Sequence, residues 1–293
     1  MMMDFLRPQG PDEVCATLLK HGKACALHAG GTDLVVQLRE HRRNVDLVVD
    51  LGRIDVLRTI RITDSGSLWI GCLSTLAEVG GHPRVRAGYH ALFQAVHSIG
   101  SAQIRNRATL CGNVCTASPA ADSLPALLIF DAMIHLLGPK GPRCVALQEF
   151  IIGPGDVSLG EGEFVCALEL PKLEGEVGSA YVRLSRRKRV DLAIVSAAAL
   201  ANSHGNIRVA FGGAAPIPFR ARQAEEFLSE APLDQDRIDQ AMSMVTPLLN
   251  PITDLRASKE YRQAMACVLG SRALNVARDR LQNNLGDQGV KAL

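Results

Sequence analysis

The segment IGSAQIRNRATLCGNVCTASPAADSLP, residues 99–125, decides how the rest of the chain is interpreted. It lacks apolar periodicity, although it lies between two apolar segments with helical spacing. A loop of this length inside a compact domain is usually functional or disordered. Apolar anchors at Ile104, Leu110, Val114 and Leu124 argue against disorder. We therefore predict an ordered, irregular segment whose amides and hydroxyls bind a polar partner, such as a phosphate-containing cofactor.

A second stretch of small residues follows an early strand. The apolar residues 25–29, CALHA, predict a short buried strand that leads into Gly30, Gly31, Thr32 and Asp33, with a helical segment directly after them. Glycines let the backbone approach a ligand closely, and amides at a helix start favour an anion. We expect Asp33 to cap the helix or to accept from the loop backbone. Taken alone, an ordinary strand-to-helix turn is the better interpretation of this stretch.

Length and composition restrict the classes of protein to which the chain can belong. Of the 293 residues, 47% are apolar and 21% charged, which is typical of a globular protein with a large core. A net charge of +2 and an aromatic content of 4% argue against a nucleic-acid partner. No run approaches the ~18 apolar residues of a membrane span, and the N-terminus lacks a secretory signal pattern. We expect a cytoplasmic protein with no membrane partner.

The cysteines and histidines predict no metal centre. The eight cysteines form no CxxC pair, and the eight histidines show no paired helical ligand spacing. Free thiols packed as small apolar groups are the better interpretation, although Cys111 and Cys115 lie within segment 99–125. There is no GxSxG, HExxH or Walker pattern, and GPGDVSLG at 153–160 is interpreted as a turn. The sequence therefore shows none of these catalytic or nucleotide-binding motifs.

Patterning predicts helices and strands in two regions. In the first region, helices are expected at 11–22, 74–98 and 120–130, and strands at 25–29, 45–51, 57–63, 67–72 and three times within 133–171. A polar boundary follows near 171–177. In the second region, three antiparallel strands between 179 and 216 precede amphipathic helices at 220–230, 234–249 and 258–282. The basic run 186–189 is expected to be a solvated strand end or a docking surface.

Five motifs follow one another in the order seen in a known family. They are HAGGTDL at 28–34, the segment 99–127, YVRLSRRKRVDLAIVSAAA at 181–199, FGGAAPIPFRARQAEEFL at 211–228 and DLRASKEYRQAM at 254–265. Over about residues 3–282 the chain resembles the FAD-binding, or medium, subunit of the molybdenum hydroxylases. That family includes enzymes of the xanthine dehydrogenase, carbon monoxide dehydrogenase and nicotinate dehydrogenase types.

The resemblance implies an α+β fold. A FAD-binding domain of the p-cresol methylhydroxylase/CO dehydrogenase flavoprotein type would occupy residues 1–172, with two subdomains split near residue 56. A C-terminal domain with a small antiparallel sheet and helices, of the CO dehydrogenase flavoprotein type, would cover 173–283, and a tail 284–293. FAD would lie in the cleft with its pyrophosphate between the two loops.

The resemblance also implies the cofactor-binding residues. They are Leu27, His28, Ala29, Gly30, Gly31, Thr32, Asp33, Leu34, Thr109, Gly112, Asn113, Thr116, Asp122, Val165 and Arg183. Thr109 and Asn113 would hydrogen-bond to phosphate, and Asp122 would accept from ribityl or adenosine hydroxyls. Val165 would give an apolar backbone contact to the flavin edge, and Arg183 stands where Lys is frequent.

Two positions depart from the family pattern. Cys111 stands where the second loop often has the first of two glycines, so its side chain must point away from the phosphates or the loop must shift. Leu192 stands where some carbon monoxide dehydrogenases carry a tyrosine near the flavin ring, and it favours the purine and N-heterocycle branch. The cysteine-rich insertion of the hydroxybenzoyl-CoA reductase branch has no counterpart here.

The implied function is electron transfer without a catalytic side chain. Substrate would be hydroxylated at a molybdopterin centre on a large subunit. Electrons would pass through [2Fe-2S] clusters on a small subunit to FAD on this chain, and on to NAD+ or another acceptor. Two alternatives stay open: a self-contained flavin oxidoreductase and a non-catalytic assembly subunit. Flavin content and co-purification with molybdenum and iron partners would separate the three.

Overall fold

The structure, a computed structural model, describes residues 3–187 and 190–283. Two residues of the basic run, Lys188 and Arg189, and the predicted tail 284–293 lie outside these ranges. Within the described residues, none of the helices combines the length and apolarity that crossing a bilayer requires.

The N-terminal part is a small three-stranded parallel sheet with two helices. In chain order its elements are β1 (Asp4–Leu6), α1 (Pro11–His21), β2 (Cys25–His28), α2 (Leu34–Arg39) and β3 (Leu47–Asp50). The strand order is β1-β3-β2. Helix α1 has Pro11 in its first turn and ends at Gly22, which has a φ of +52°. The sequence did not predict β1, which has three residues and an exposed Phe5.

A five-stranded antiparallel sheet forms the next layer, with strand order β4-β5-β10-β6-β7. Its strands are β4 (Ile60–Ile62), β5 (Leu68–Gly71), β6 (Met133–Gly138), β7 (Gly141–Ala146) and β10 (Phe164–Leu170). A hairpin of β8 (Ile151–Gly153) and β9 (Asp156–Val157) precedes β10. The accompanying helices are α3 (Leu76–Gly81), α4 (Pro83–Gly88), α5 (His90–Ser98), α6 (Ala102–Arg105), α7 (Leu110–Cys115), α8 (Ser123–Ile129) and α9 (Leu147–Phe150). The apolar central strand β10 is buried except at Glu169.

Segment 99–125 differs in part from the sequence prediction. It contains the short helices α6 and α7, so the expectation of an irregular segment is wrong for those residues. Ser101 caps α6 and Thr109 caps α7, each with its side-chain oxygen accepting a backbone N–H. The anchor Leu110 is fully buried, whereas Ile104 is exposed. Helices of four and six residues are too short to show apolar periodicity, which explains the error.

The C-terminal part is a four-stranded antiparallel sheet covered by helices. Its strands, in spatial order, are β11 (Val177–Leu184), β12 (Val195–Asn202), β13 (Ile207–Gly212) and β14 (Phe219–Arg220). Its helices are α10 (Arg222–Ser229), α11 (Gln235–Val245) and α12 (Lys259–Asn283). A Cβ on Gly178 would lie 2.0 Å from the carbonyl oxygen of Ala277, so α12 packs directly on the backbone of β11. The three predicted strands and the long last helix are present.

Strand β12 joins the two hydrophobic cores. Ala197 and Ala199 pack in the core of the C-terminal part, whereas Ala198 and Leu200 pack in the core of the preceding part. Successive side chains of a strand point to opposite faces, so a strand buried on both faces is a continuous apolar run. The alanine-rich sequence of β12 lets α8 and α12 both contact it.

An ion-pair network adds a polar connection between the two parts. Arg208 donates to the Ile129 carbonyl oxygen (2.8 Å) and to the Asp131 carboxylate (2.8 Å). Arg220, whose side chain is buried, donates to Asp131 and to Glu225. Because Asp131 follows α8 and both arginines lie on the C-terminal sheet, this network holds α8 against that sheet.

Candidate functional site

The two stretches of small residues meet in space. A Cβ on Gly30 would lie 2.1 Å from the carbonyl oxygen of Arg107 and 3.0 Å from the Cα of Ala108. The loop after β2 therefore touches the backbone that leads into Thr109 and α7. Gly31 has a φ of +74°, and a Cβ there would lie 2.3 Å from Nε2 of His28. Gly30 is required by close backbone contact, and Gly31 by its left-handed conformation and by the adjoining His28 ring.

The first loop offers unpaired backbone donors. Within the described ranges, the amide N–H groups of residues 30–33 donate to no protein acceptor. Helix α2 begins directly after them, and the amide of Val35 donates back to the Gly31 carbonyl oxygen at 3.0 Å. Converging amides at the start of a helix are suited to a phosphate group. This arrangement fits the pyrophosphate of a dinucleotide.

His28, the last residue of β2, supports the first loop because its ring lies beside Gly31. Its Nδ1 lies 3.1 Å from Asp50 Oδ1, and Arg7 lies 3.3 Å from the other carboxylate oxygen. Burial opposes ionisation of Asp50, but the hydrogen bonds from His28 and the Gly52 amide outweigh it, and the pKa of this carboxyl is lowered. Sequence reasoning missed Asp50, whose only signal was its position at the end of the adjacent strand.

Asp33 does not cap α2 through its side chain. It occupies the N-cap position, yet its carboxylate accepts instead from Nε2 of Gln37, one helical turn on, at 2.6 Å. The expectation that Asp33 caps the helix is therefore wrong. Its side chain is exposed, whereas Thr32 and Leu34 are half-buried.

The second loop is held by its own side chains. Thr109 accepts from the Gly112 amide (3.0 Å), and Thr116 donates to the Gly112 carbonyl oxygen (2.9 Å). Asn113 accepts from the Ser123 hydroxyl at 2.6 Å, and its side-chain NH2 has no protein acceptor among the described residues. Gly112 is exposed. The side-chain nitrogen Nδ2 of Asn113 is therefore a donor without a protein acceptor among the described residues, and it lies beside the exposed Gly112.

The Cys111 side chain points into the hydrophobic core. It is buried together with Leu110 and Val114, because these three positions of α7 face the same core. Burial raises the pKa of the Cys111 thiol well above its ordinary value. Of the two sequence alternatives for this position, the structure shows the one in which the side chain turns inward.

Asp122 and Arg183 come together from the two parts of the chain. Asp122 precedes α8 and accepts from the Tyr181 hydroxyl and from Nη1 of Arg183, which lies 3.2 Å from both carboxylate oxygens. The same nitrogen donates to the Asp191 carbonyl oxygen at 3.1 Å. Burial raises the pKa of Asp122, and Arg183 and Tyr181 oppose that rise. Sequence reasoning missed Tyr181, whose only signal was its place at the start of the third motif.

The remaining predicted residues lie around the two loops or on the adjoining strand. Leu27 and Ala29 are half-buried against the core. Val165 is buried in β10, beside a β-bulge that interrupts pairing with β6. Leu192 is exposed in the segment before β12. Across residues 3–187 and 190–283, no group of three or more His, Cys, Asp or Glu side chains is arranged to hold a metal ion.

An α+β domain in which two glycine-containing loops meet beside unpaired amides is suited to bind a phosphate-containing cofactor. Residues 1–173 match the family model for the FAD binding domain in molybdopterin dehydrogenase. Residues 180–277 match the model for the CO dehydrogenase flavoprotein C-terminal domain. The chain therefore belongs to the family of FAD-binding subunits of the molybdenum hydroxylases, and its cofactor is FAD.

Individual relatives agree with this membership. The chain is 35% identical over 274 residues to the xanthine dehydrogenase FAD-binding subunit of Escherichia coli O157:H7, covering 90% of this chain and 94% of the relative. It is 28% identical over 248 residues to the nicotinate dehydrogenase FAD-subunit of Eubacterium barkeri, covering 81% and 83%. A solved carbon monoxide dehydrogenase from Hydrogenophaga pseudoflava superposes with a TM-score of 0.91 at 29% identity, covering 96% and 99%.

The comparisons confirm the predicted family, the α+β fold of this flavoprotein type and the FAD cofactor. They also make the chain part of an oxidoreductase, because the relatives are dehydrogenase subunits.

Proposed function

We propose that this chain is the electron-transfer subunit of a molybdopterin-dependent dehydrogenase. In this proposal it receives electrons from [2Fe-2S] clusters on a small subunit and delivers them to NAD+ or another acceptor. Substrate is oxidised at the molybdopterin centre of a large subunit, as in enzymes of the xanthine dehydrogenase or other N-heterocycle and aldehyde types. FAD supplies the redox chemistry, and the protein supplies binding, orientation and electrostatics.

The observation that carries the proposal is the backbone contact of Gly30 with Arg107, with the unpaired amides of residues 30–33 beside it. This contact brings two distant stretches of the chain together beside unpaired amides, which supports an anion-binding position there. The names of the relatives, a FAD-binding subunit and a FAD-subunit of dehydrogenases, support a role as one subunit among several. Partner subunits and the acceptor are part of the proposal.

For the cofactor-binding residues we propose three groups of roles. The first loop, residues 27–34, holds the pyrophosphate through its amides, with His28 and Asp33 supporting the loop. In the second loop Thr109 and Asn113 hydrogen-bond to the phosphates beside Gly112, while Thr116 supports α7. The ribityl chain, the adenosine or the flavin edge is contacted by the remaining residues of the set, which are Asp122, Val165 and Arg183. Asp122 is held by Tyr181 and Arg183, which supports a role in orienting the cleft between the two parts.

We also propose the division into a FAD-binding domain at 1–172 with subdomains split near 56, a C-terminal domain at 173–283 and a tail at 284–293. The two matched ranges support the boundary between the two domains. The cytoplasmic location expected from the sequence stays a prediction.

The direct test begins with the purified chain. Heat-released flavin is identified by chromatography, and the loaded chain is then mixed with NADH without oxygen while flavin absorbance is followed. Bleaching by NADH supports NAD+ as the acceptor, and its absence, with the flavin still reducible by dithionite, points to another acceptor. A tagged copy purified from its own cells should carry iron and molybdenum with it. A flavin-loaded chain that never co-purifies with either metal would contradict the role as a subunit of such a dehydrogenase.

A further inference from the structure

A second cavity, distinct from the two loops, opens between helices α3, α4, α5 and α6. Its volume is about 290 Å³, and its polar lining includes Arg86, Arg105, His97 and Asn106. Ligand pockets usually measure about 300–1,000 Å³. A cavity of this size therefore suits a small molecule rather than a second dinucleotide.

The lining is positively charged and carries no compensating acid. No aspartate or glutamate lines the cavity, and within the described ranges neither Arg86 nor Arg105 forms an ion pair. The nearby Glu78 is engaged elsewhere, because its carboxylate accepts from the amide (2.7 Å) and the hydroxyl (2.8 Å) of Thr75. Arg105 is fixed in place by donating to the carbonyl oxygens of Ile99 (3.1 Å) and Gly100 (3.3 Å). Two guanidinium groups facing one small cavity favour an anion, and phosphate above all.

His97 presents a free ring nitrogen to the same region. Its Nδ1 lies 2.8 Å from the Phe93 carbonyl oxygen, which can only accept, so Nδ1 carries the hydrogen. Nε2 has no protein partner in the part of the chain that the structure describes. The imidazole fits here because Gly80 has no side chain: a Cβ there would lie 2.7 Å from Cε1 of His97. Since Nδ1 carries the hydrogen of the neutral ring, Nε2 can accept from the P–OH group of a partly protonated phosphate, and it can donate to a phosphate oxygen when the ring is an imidazolium.

We propose that this cavity binds a small phosphate-bearing anion, either inorganic phosphate or a phosphate monoester, between Arg86, Arg105 and His97. The site lies next to the flavin loops in the chain. Helix α6 and Asn106 lead directly into Arg107, whose carbonyl oxygen contacts Gly30. An anion held by Arg105 and Asn106 would therefore restrain the backbone that forms one wall of the first loop.

Calorimetric titration of the flavin-loaded full chain tests the proposal, with inorganic phosphate and AMP as probes at constant ionic strength. Arg86→Gln removes a lining charge, and Arg84→Gln is its matched control, because Arg84 is exposed on the same helix and does not line the cavity. Gly81→Leu fills the cavity, since no atom lies within 4 Å of a Cβ at that position. Flavin content is measured for every variant, so a failure of FAD binding is seen separately.

The expected result is saturable binding by the wild type and by Arg84→Gln, weakened about tenfold or more in Arg86→Gln and abolished in Gly81→Leu. Binding of both probes indicates a site for phosphate monoesters, and binding of phosphate alone indicates a site for the free ion. The proposal is overturned if neither probe binds, if both arginine variants weaken binding equally, or if Gly81→Leu binds as the wild type does.

Discussion

Gly30→Ala should separate the two flavin loops. The added Cβ would lie 2.1 Å from the Arg107 carbonyl oxygen, whereas ordinary contact begins at 3.4 Å, so the backbones must move apart by 3.4 − 2.1 = 1.3 Å. The obstacle is backbone rather than a flexible side chain, so the strain is not easily relieved. Overpacking of this kind costs about 1–3 kcal/mol, which corresponds to roughly 5- to 150-fold in an equilibrium constant. We expect the Kd for FAD to rise by about that factor.

The assay is titration of the flavin-free chain with FAD, followed by flavin fluorescence, together with flavin content after purification. Gly10→Ala is the matched control, because Gly10 has extended backbone before α1 and no atom within 4 Å of a Cβ. Thermal unfolding of the flavin-free variants shows whether the fold is retained. If Gly30→Ala binds FAD as tightly as Gly10→Ala does, the contact between the loops does not shape the cofactor site, and the reasoning is refuted.

Three further changes test other parts of the structure. Burial opposes ionisation of Asp254, yet backbone amides and Arg262 hold its pKa at about 2, so it contributes stability above about pH 4 that is lost as the pH falls through 2. Asp254→Asn should therefore lower the Tm at pH 7 and not at about pH 2, and an equal loss at both pH values would contradict this. Partial desolvation and the Glu169 charge raise the pKa of Cys144, whose side chain is still exposed. The fastest phase of labelling by Ellman's reagent should therefore still accelerate above pH 9 and be lost in Cys144→Ser, and a rate already maximal at pH 7 would count against it. Thr75→Ala removes the capping box of α3 and should cost about 1 kcal/mol in urea unfolding, and an unchanged midpoint would show that the cap is dispensable.

Sequence reasoning failed where the local signal is short. Strand β1 has only three residues and pairs with β3, which is distant in the chain. No local pattern therefore predicts this strand. Helices α6 and α7 are defined by their caps, Ser101 and Thr109, rather than by periodicity. Asp33 has the residue type of a cap, but its carboxylate bonds to Gln37 instead. For β1 a distant partner strand decides the outcome. For α6, α7 and Asp33 the deciding hydrogen bonds span only three or four residues, and such short contacts leave no periodic pattern in the sequence.

The sequence by itself determined the family, and through that resemblance the α+β fold and the FAD cofactor, because the five ordered motifs that carry the resemblance are local properties of the chain. Taken alone, Gly30 and Gly31 were better explained by an ordinary strand-to-helix turn, and their role at the cofactor was implied only by the family resemblance. Only the tertiary structure decided that Gly30 lies against the Arg107 backbone, that Cys111 turns into the core and that Asp122 pairs with Arg183. These contacts join residues far apart in the chain, and they depend on how α7 and α8 pack against strands of two different sheets. Packing geometry of that kind is not encoded in any single segment.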